Sequence, residues 1–354
     1  MITLVFTYRN RSIYIVEKCL QSLALQTTTN FKMVIVNYGS DNCHSQQIEE
    51  LIKDYDFVNY IYVDVSKQLW NKSRAINIAL KDCQTDYFFV GDIDMMFRPD
   101  FVEQLNLLKS EVSAVYFQVG FLRKEESSLE KKFEDYKIKH LTNNEATGMT
   151  LYSTALLKNL NGYDEFYHGW GAEDTDVHVR MQNAGYDVNF FNKEVLILHQ
   201  WHPKKYRTKE SKEPFHQSLE QINHQYFQKI SQEKKVMANT NKDWGILPEK
   251  VLFPEHKLIS IALTNQKSEI DALLCGIMEN HKGKKMVLNI ILHAEYKNIK
   301  NIIKKMLGKK YRAFYDLQTI NDLILANIIA HYRNQYYEYE WNRSGNSIQL
   351  NIKL

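Results

Sequence analysis

Tyr87-Phe88-Phe89-Val90-Gly91-Asp92-Ile93-Asp94 reads as a short buried strand that ends on a glycine and then presents two aspartates one residue apart. A continuous apolar run bounded by a turn signal is the pattern of a strand covered on both faces. The glycine suits close approach of a ligand to the backbone. A short-spaced aspartate pair at a strand end offers carboxylate oxygen to a divalent cation that also holds phosphate. The same letters describe an ordinary strand-end turn, so their weight rests on what surrounds them.

Upstream, strands and helices alternate. Ile2 to Phe6 is strand-like, Ile13 to Leu25 helical, Met33 to Val36 strand-like, and a helix lies near Ile48 to Tyr55; Tyr60 to Val63 and a helix from Ser73 to Leu80 then lead into the quoted strand. Strict alternation implies crossover units on a mainly parallel sheet, an α/β fold. Ligands bind such sheets beyond the carboxyl ends of the strands. Tyr8-Arg9-Asn10-Arg11 and Asp92-Ile93-Asp94 both fall there, so they are expected to face one crevice.

Downstream of Pro203 the chain turns polar and rich in Lys and Gln to about Lys235, and Asn239-Thr240-Asn241-Lys242-Asp243 is a turn-forming cluster. This predicts a catalytic domain over residues 1–240 and a smaller α/β domain over 241–354. In the latter, Leu258 to Leu263 and Met286 to Leu292 read as strands and Ile299 to Leu307 as a helix. Asn342-Arg343-Ser344-Gly345-Asn346 reads as the turn of a hairpin between Tyr336 to Trp341 and Ser347 to Leu354.

A net charge of +3 over 354 residues argues against a nucleic-acid partner. The basic clusters Lys204-Lys205-Tyr206-Arg207 and Lys304-Lys305 through Lys309-Lys310 read as solvated faces, with weak contact to an anionic membrane surface or a charged polymer as the second reading. Met1-Ile2-Thr3-Leu4-Val5-Phe6 lacks the basic segment and cleavage site of a secretory signal, and eighteen apolar residues nowhere run together. Cys19, Cys43, Cys83 and Cys275 have neither metal-ligand nor disulfide spacing, and read as reduced thiols of a cytoplasmic protein.

Three further segments carry chemistry. Leu198-His199-Gln200-Trp201-His202-Pro203 brings two histidines to the end of an apolar strand; His199 with Asp94 makes a mixed nitrogen and oxygen site suited to manganese, and His202 is an alternate or additional ligand. Gly169-Trp170-Gly171-Ala172-Glu173-Asp174 leads into a helix from Val177 to Ala184. Acids in a first helical turn are favoured by capping and by the dipole. The tryptophan between glycines reads beyond that, as a platform for a sugar ring, with Asp174 as proton acceptor and Glu173 hydrogen-bonding the acceptor. Tyr8, Arg9 and Arg11, with Asn37-Tyr38-Gly39-Ser40-Asp41 after the second strand, suit a uracil base and a diphosphate.

With these residues in place the chain resembles the family 2 glycosyltransferases of the GT-A fold, and most closely the β-1,4-galactosyltransferases and bacterial chondroitin polymerase-type enzymes, over roughly residues 1–203. Tyr8-Arg9-Asn10-Arg11 is similar to the family's Phe-Arg-Asn-Arg segment, Asp92-Ile93-Asp94 to its Asp-Val-Asp, and Gly169 to Asp174 to its Gly-Trp-Gly-Gly-Glu-Asp. Trp70-Asn71-Lys72-Ser73-Arg74-Ala75-Ile76-Asn77 resembles the helix start beneath the sugar nucleotide, and Thr147-Gly148-Met149-Thr150 the donor-sugar loop. The resemblance implies that Asp94 and His199, with His202 as alternate, hold Mn2+ or Mg2+. It places Asp174 as base with Glu173 and Trp170 at the acceptor, and Thr7, Tyr8, Arg9, Arg11, Asp41, Asn71, Arg74, Asp92 and Gly148 at the UDP-sugar donor. Ala172 replaces the family's second glycine, and the methionine ligand of animal members has no counterpart.

The expected activity is metal-dependent, inverting transfer of a hexose-type sugar from a UDP-sugar to a saccharide or glycolipid hydroxyl, in bacterial surface-glycan synthesis, in the cytoplasm or at the inner face of its membrane. A retaining transferase of the same fold, a two-histidine, one-carboxylate metal oxygenase and a non-catalytic saccharide-binding module are the competing readings.

Overall fold

The computed structural model describes residues 1–109, 113–203, 213–240, 242–251, 253 and 258–354. Two compact units emerge: Met1–Ser66 with Asn71–Arg207 and Glu220–Ile246, and Lys67–Trp70 with Thr208–Leu219 and Leu247–Leu354. The basic cluster at 204–207 and Asn241 lie outside the described residues. Asn239, from the expected linker, is fastened into the first unit, its amide donating to the carbonyls of Asn161 and Tyr163 at 2.9 and 2.7 Å.

The first unit is built on a seven-stranded sheet of β1 (Ile2–Tyr8), β2 (Phe31–Tyr38), β3 (Val58–Val63), β4 (Tyr87–Asp92), β6 (Ala114–Phe117), β9 (Thr150–Ser153) and β10 (Val188–Phe191), in the order β10-β6-β9-β4-β1-β2-β3. All neighbours are parallel except β9, which runs against both β4 and β6. The α/β fold with a mainly parallel sheet is therefore as the alternation implied. Every residue of β1 is buried, as a strand covered by helices on both faces must be. Ile13–Ala24 forms the expected helix. Asn42–Leu51 forms the next, starting earlier than its apolar residues suggest because the Asp41 side chain accepts from the His44 N–H and caps it.

A second, four-stranded sheet joins β5 (Met95–Phe97), β7 (Val119–Leu122), β8 (Ile138–Leu141) and β11 (Ile197–His199), in the order β5-β11-β7-β8. Asp92 ends β4 and Asp94 lies in the turn to β5, and aromatic packing fixes this turn. Phe89 meets Phe101 edge to face at 5.1 Å, Phe101 meets Phe117 at 5.7 Å, and Phe97 meets Phe6 at 5.8 Å; such pairs add about 0.5–1.5 kcal/mol each beyond burial. Gly91 serves this packing and not ligand approach: a Cβ there would meet the Phe6 ring at 2.6 Å.

The second unit carries a mixed sheet, β12 (Ile259–Thr264), β13 (Lys285–Ile291), β14 (Tyr337–Asn342) and β15 (Ser347–Lys353), in the order β12-β13-β15-β14. β14 and β15 form the predicted hairpin, its turn closed by Gly345 N–H donating to Asn342 Oδ1 at 2.7 Å. Among the described residues no helix is long and apolar enough to cross a membrane.

Candidate active site

The loops after β1 and β2 lie side by side because the strands are parallel neighbours, and Asn10 stitches them. Its N–H donates to Ser40 Oγ at 3.0 Å and its side-chain carbonyl accepts from Asp41 N–H at 2.9 Å. The backbone of Asn10 is left-handed at φ 48°, a conformation asparagine tolerates. Arg9 donates to the Ser66 carbonyl at 2.8 Å, while Thr7 sits opposite Asp92 in the β1–β4 ladder. Tyr8 differs from its expected place against a base. Its ring is fully buried in the core, with the hydroxyl donating to the Arg11 and His44 carbonyls at 3.0 and 3.3 Å. Burial pushes that phenol well above its ordinary pKa, so the group is a neutral brace.

Asp94, His199 and His202 come together with ligand atoms all within 4.8 Å of one another. Sheet register does this. β11 runs antiparallel to β5 so that His199 faces Met95, and Gln200 N–H extends the ladder onto the Asp94 carbonyl at 3.0 Å. The His199 ring stacks on Phe121 at 4.3 Å, and Phe121 on His140 at 4.7 Å, a three-ring pile that sets its orientation. His199 Nε2 lies 3.8 Å from Asp94 Oδ1, and His202 Nε2 lies 3.1 Å from Asp94 Oδ2.

Burial holds the His199 pKa below its usual value, with Asp94 opposing, which favours the neutral imidazole that binds metal. Burial alone would raise Asp94, but the His202 hydrogen bond and the Arg11 guanidinium hold it well below the usual carboxylate range. With His199 neutral, the ionised carboxylate rests on His202 and on Arg11, whose Nη2 is 3.1 Å away. Asp94 Oδ1 and His199 Nδ1 are buried without a hydrogen-bond partner among the described residues. Orphaned, ionised and imidazole donors in one spot fit a divalent cation.

The second cluster is organised by a residue the sequence reading passed over. Lys72 Nζ lies 3.2 Å from Asp92 Oδ1, 3.2 Å from Asp174 Oδ2 and 3.6 Å from Glu173 Oε1. Burial opposes its charge, yet the three carboxylates hold its pKa well above the usual lysine value. Lys72 follows Asn71 in the segment Trp70 to Asn77, but nothing in its residue type announces the three acids that meet it. Asp174 shows the converse balance. Burial, then the charges of Glu173 and Asp92, push it up to about 8 against the opposing pull of Lys72. Its Oδ1 is buried without a hydrogen-bond partner among the described residues. Gly148 lies against the other oxygen, where a Cβ would stand 3.3 Å from Asp174 Oδ2.

Gly169, Gly171 and Ala172 all have left-handed backbone, at φ 72°, 108° and 71°. This winds the loop into the helix Glu173–Asn183, which begins four residues before its first apolar position. Glu173 Oε2 accepts from Gly171 N–H at 2.9 Å, and the Asn223 amide donates to the carbonyls of His168 and Trp170. Trp170 is 52% exposed, as a platform requires.

Asn71 and Arg74 also differ from the direct donor contact expected of them. Asn71 is fully buried, caps the helix Lys72–Asp82 through Arg74 N–H, and donates to the Glu165 carbonyl at 2.9 Å. Arg74, 2% exposed, pairs with Glu165 at 2.7 Å. Glu165 also accepts from Asn77 and from Gly245 N–H, at 3.0 and 2.7 Å. Breaking such a buried pair costs about 3–5 kcal/mol. Both residues fix the first turn of the helix that carries Lys72.

Two family descriptions match the chain: glycosyl transferase family 2 over residues 3–160, and the N-terminal domain of galactosyltransferase over residues 127–203. Between them they contain every site residue named above apart from Asn223 and Gly245. A teichoic acid poly(glycerol phosphate) polymerase of Staphylococcus epidermidis is 38% identical over 93 residues, 26% of this chain and 12% of that protein. Human β-1,4-galactosyltransferase 4 is 25% identical over 131 residues, 36% of this chain and 33% of that enzyme. The chain thus spans a third or less of the length of these relatives. Among solved structures, TarS residues 1–349 of S. aureus with UDP-GlcNAc aligns at a TM-score of 0.43 and 17% identity, covering 57% of this chain and 59% of that one.

Proposed function

We propose that this chain, a family 2 glycosyltransferase by its residues 3–160, moves a hexose-type sugar from a UDP-sugar to a saccharide or glycolipid hydroxyl with inversion at the anomeric carbon. The observation that carries the reading is the Asp174 carboxylate. One oxygen is held by Lys72 and the other is buried with no hydrogen-bond partner among the described residues, a proton acceptor for an acceptor hydroxyl. Lys72 ties this base to Asp92, two residues from the Asp94, His199 and His202 set that would hold the divalent cation. A bound cation there supplies Lewis-acid neutralisation of the departing diphosphate.

The remaining roles belong to the same reading. Thr7, Arg9, Arg11, Asp41 and Asp92 line the donor side, where Arg9 and Arg11 pair with phosphate oxygen. Gly148 leaves room for the donor sugar beside Asp174, Glu173 accepts a hydrogen bond from the acceptor, and Trp170 offers its ring to the acceptor sugar. A carboxylate base on the acceptor favours attack opposite the leaving diphosphate. Incubation with a panel of α-linked UDP-sugars, Mn2+ and saccharide acceptors, with proton NMR of the product, tests this. A β-glycoside is expected; an α-glycoside would replace the inverting reading with a retaining one.

A further inference from the structure

The helix Ile299–Met306 of the second unit is built inside out. Ile299, Ile302, Ile303, Met306 and Leu307 recur at the spacing of one helical face, which in a globular protein normally turns to the core. Here no residue of the helix is buried. Ile299 is 72% exposed, Met306 81% and Leu307 63%, with Ile302 and Ile303 near half. The opposite, polar face is the one fastened to the protein. The Asn301 side chain donates to the Arg312 carbonyl at 2.8 Å and accepts from Arg312 N–H at 3.0 Å, and Arg312 pairs with Glu295 at 3.2 Å.

Charge identifies what covers the apolar face. Lys297, Lys300, Lys304, Lys305, Lys309, Lys310 and Arg312 give residues 297–312 seven basic residues and no acid. A second copy of the chain on this face would bring two such patches together, and two helical turns are far smaller than a stable dimer interface. Aliphatic side chains flanked on both sides by lysines, whose stems reach past them, match an anionic bilayer surface, where the chains enter the headgroup boundary and the ammonium groups meet phosphate. We propose that this helix is a membrane-docking element that seats the second unit on anionic lipid. The proposal goes beyond the transfer reaction and stands independently of it.

The test is flotation of the full chain with vesicles. Binding is expected to phosphatidylcholine vesicles holding about one-third phosphatidylglycerol and not to phosphatidylcholine alone, and to weaken between about 0.1 and 1 M salt. A variant carrying Ile302→Ser, Ile303→Ser and Met306→Ser, and separately one carrying Lys304→Glu and Lys305→Glu, should each lower the bound fraction about tenfold or more. Both sets are exposed, so an unchanged Tm separates lost binding from lost folding. Failure of the unaltered chain to float with anionic vesicles, including the case where it instead captures only a soluble acidic protein, overturns the proposal. So does a serine variant that binds as well as the original, since adsorption would then be electrostatic without insertion.

Discussion

Asp174→Asn is expected to lower sugar transfer by about 10²–10⁴-fold while leaving UDP affinity in the presence of Mn2+ within about twofold. The amide matches the carboxyl in size, so it keeps the packing against Gly148 and can still accept from Lys72 Nζ, now 3.2 Å from Oδ2. It cannot accept the proton. Calorimetry with UDP and Mn2+ beside a turnover assay reads the two effects separately, and an active Asp174→Asn enzyme would remove Asp174 from the reaction. The same carboxyl sets the pH dependence. Only its ionised form is a base, and burial with the charges of Glu173 and Asp92 pushes its pKa up to about 8. The kcat/KM profile should therefore rise with pH along a limb far above the ordinary aspartate range. Lys72→Met removes a cation that opposes that shift and should move the limb higher; a limb near pH 4 in both proteins would assign the base elsewhere.

Asp94→Ala should abolish the Mn2+-dependent part of UDP binding, a loss of at least about a hundredfold, since even an outer-shell partner of a metal ligand is worth 10–100-fold. The effect is expected to be local. Asp94 lies in a turn fixed by the Phe89, Phe97 and Phe101 cluster and by the β5–β11 ladder, and neither needs its carboxylate. The histidines can be ranked by the same titration. His202, whose Nδ1 is within 3.2 Å of the Pro203 carbonyl and whose Nε2 lies 3.1 Å from Asp94, is expected to cost more on substitution than His199, which has no partner at Nδ1 among the described residues. Equal UDP affinity with and without Mn2+ in the unaltered protein would dissolve both expectations.

The sheet was legible because apolar runs of four or more residues alternate with helical spacing. Tyr87 to Val90, Ile13 to Leu25 and the hairpin around Asn342 to Asn346 all fall within a few residues of the observed elements. β5 and β11 are three residues each, too short for any periodicity to reveal their pairing, yet that pairing sets His199 beside Asp94. Metal-type donors could be named from residue chemistry alone. Lys72 could not be singled out by type, because its importance comes from carboxylates 20 and about 100 residues away.

Tyr8, Asn71 and Arg74 show burial and committed hydrogen bonds that the motifs did not reveal. They stand in motifs that border the donor, but a motif does not distinguish a residue facing the crevice from one holding up its wall. Only burial and committed hydrogen bonds separate the two. The helix at Ile299 was readable as a helix from its spacing, and spacing alone would have turned its apolar face inward. It faces solvent instead, with Asn301 on the other face bonded to Arg312 eleven residues away.

The most direct test of the account is the position of the cation. Anomalous diffraction at the manganese edge from crystals grown with UDP and Mn2+ should show a peak bonded to Asp94 and to at least one of His199 and His202, with the diphosphate on its open side. A peak held by Asp92 alone, or anywhere that leaves Asp94 and both histidines unbound, would contradict it.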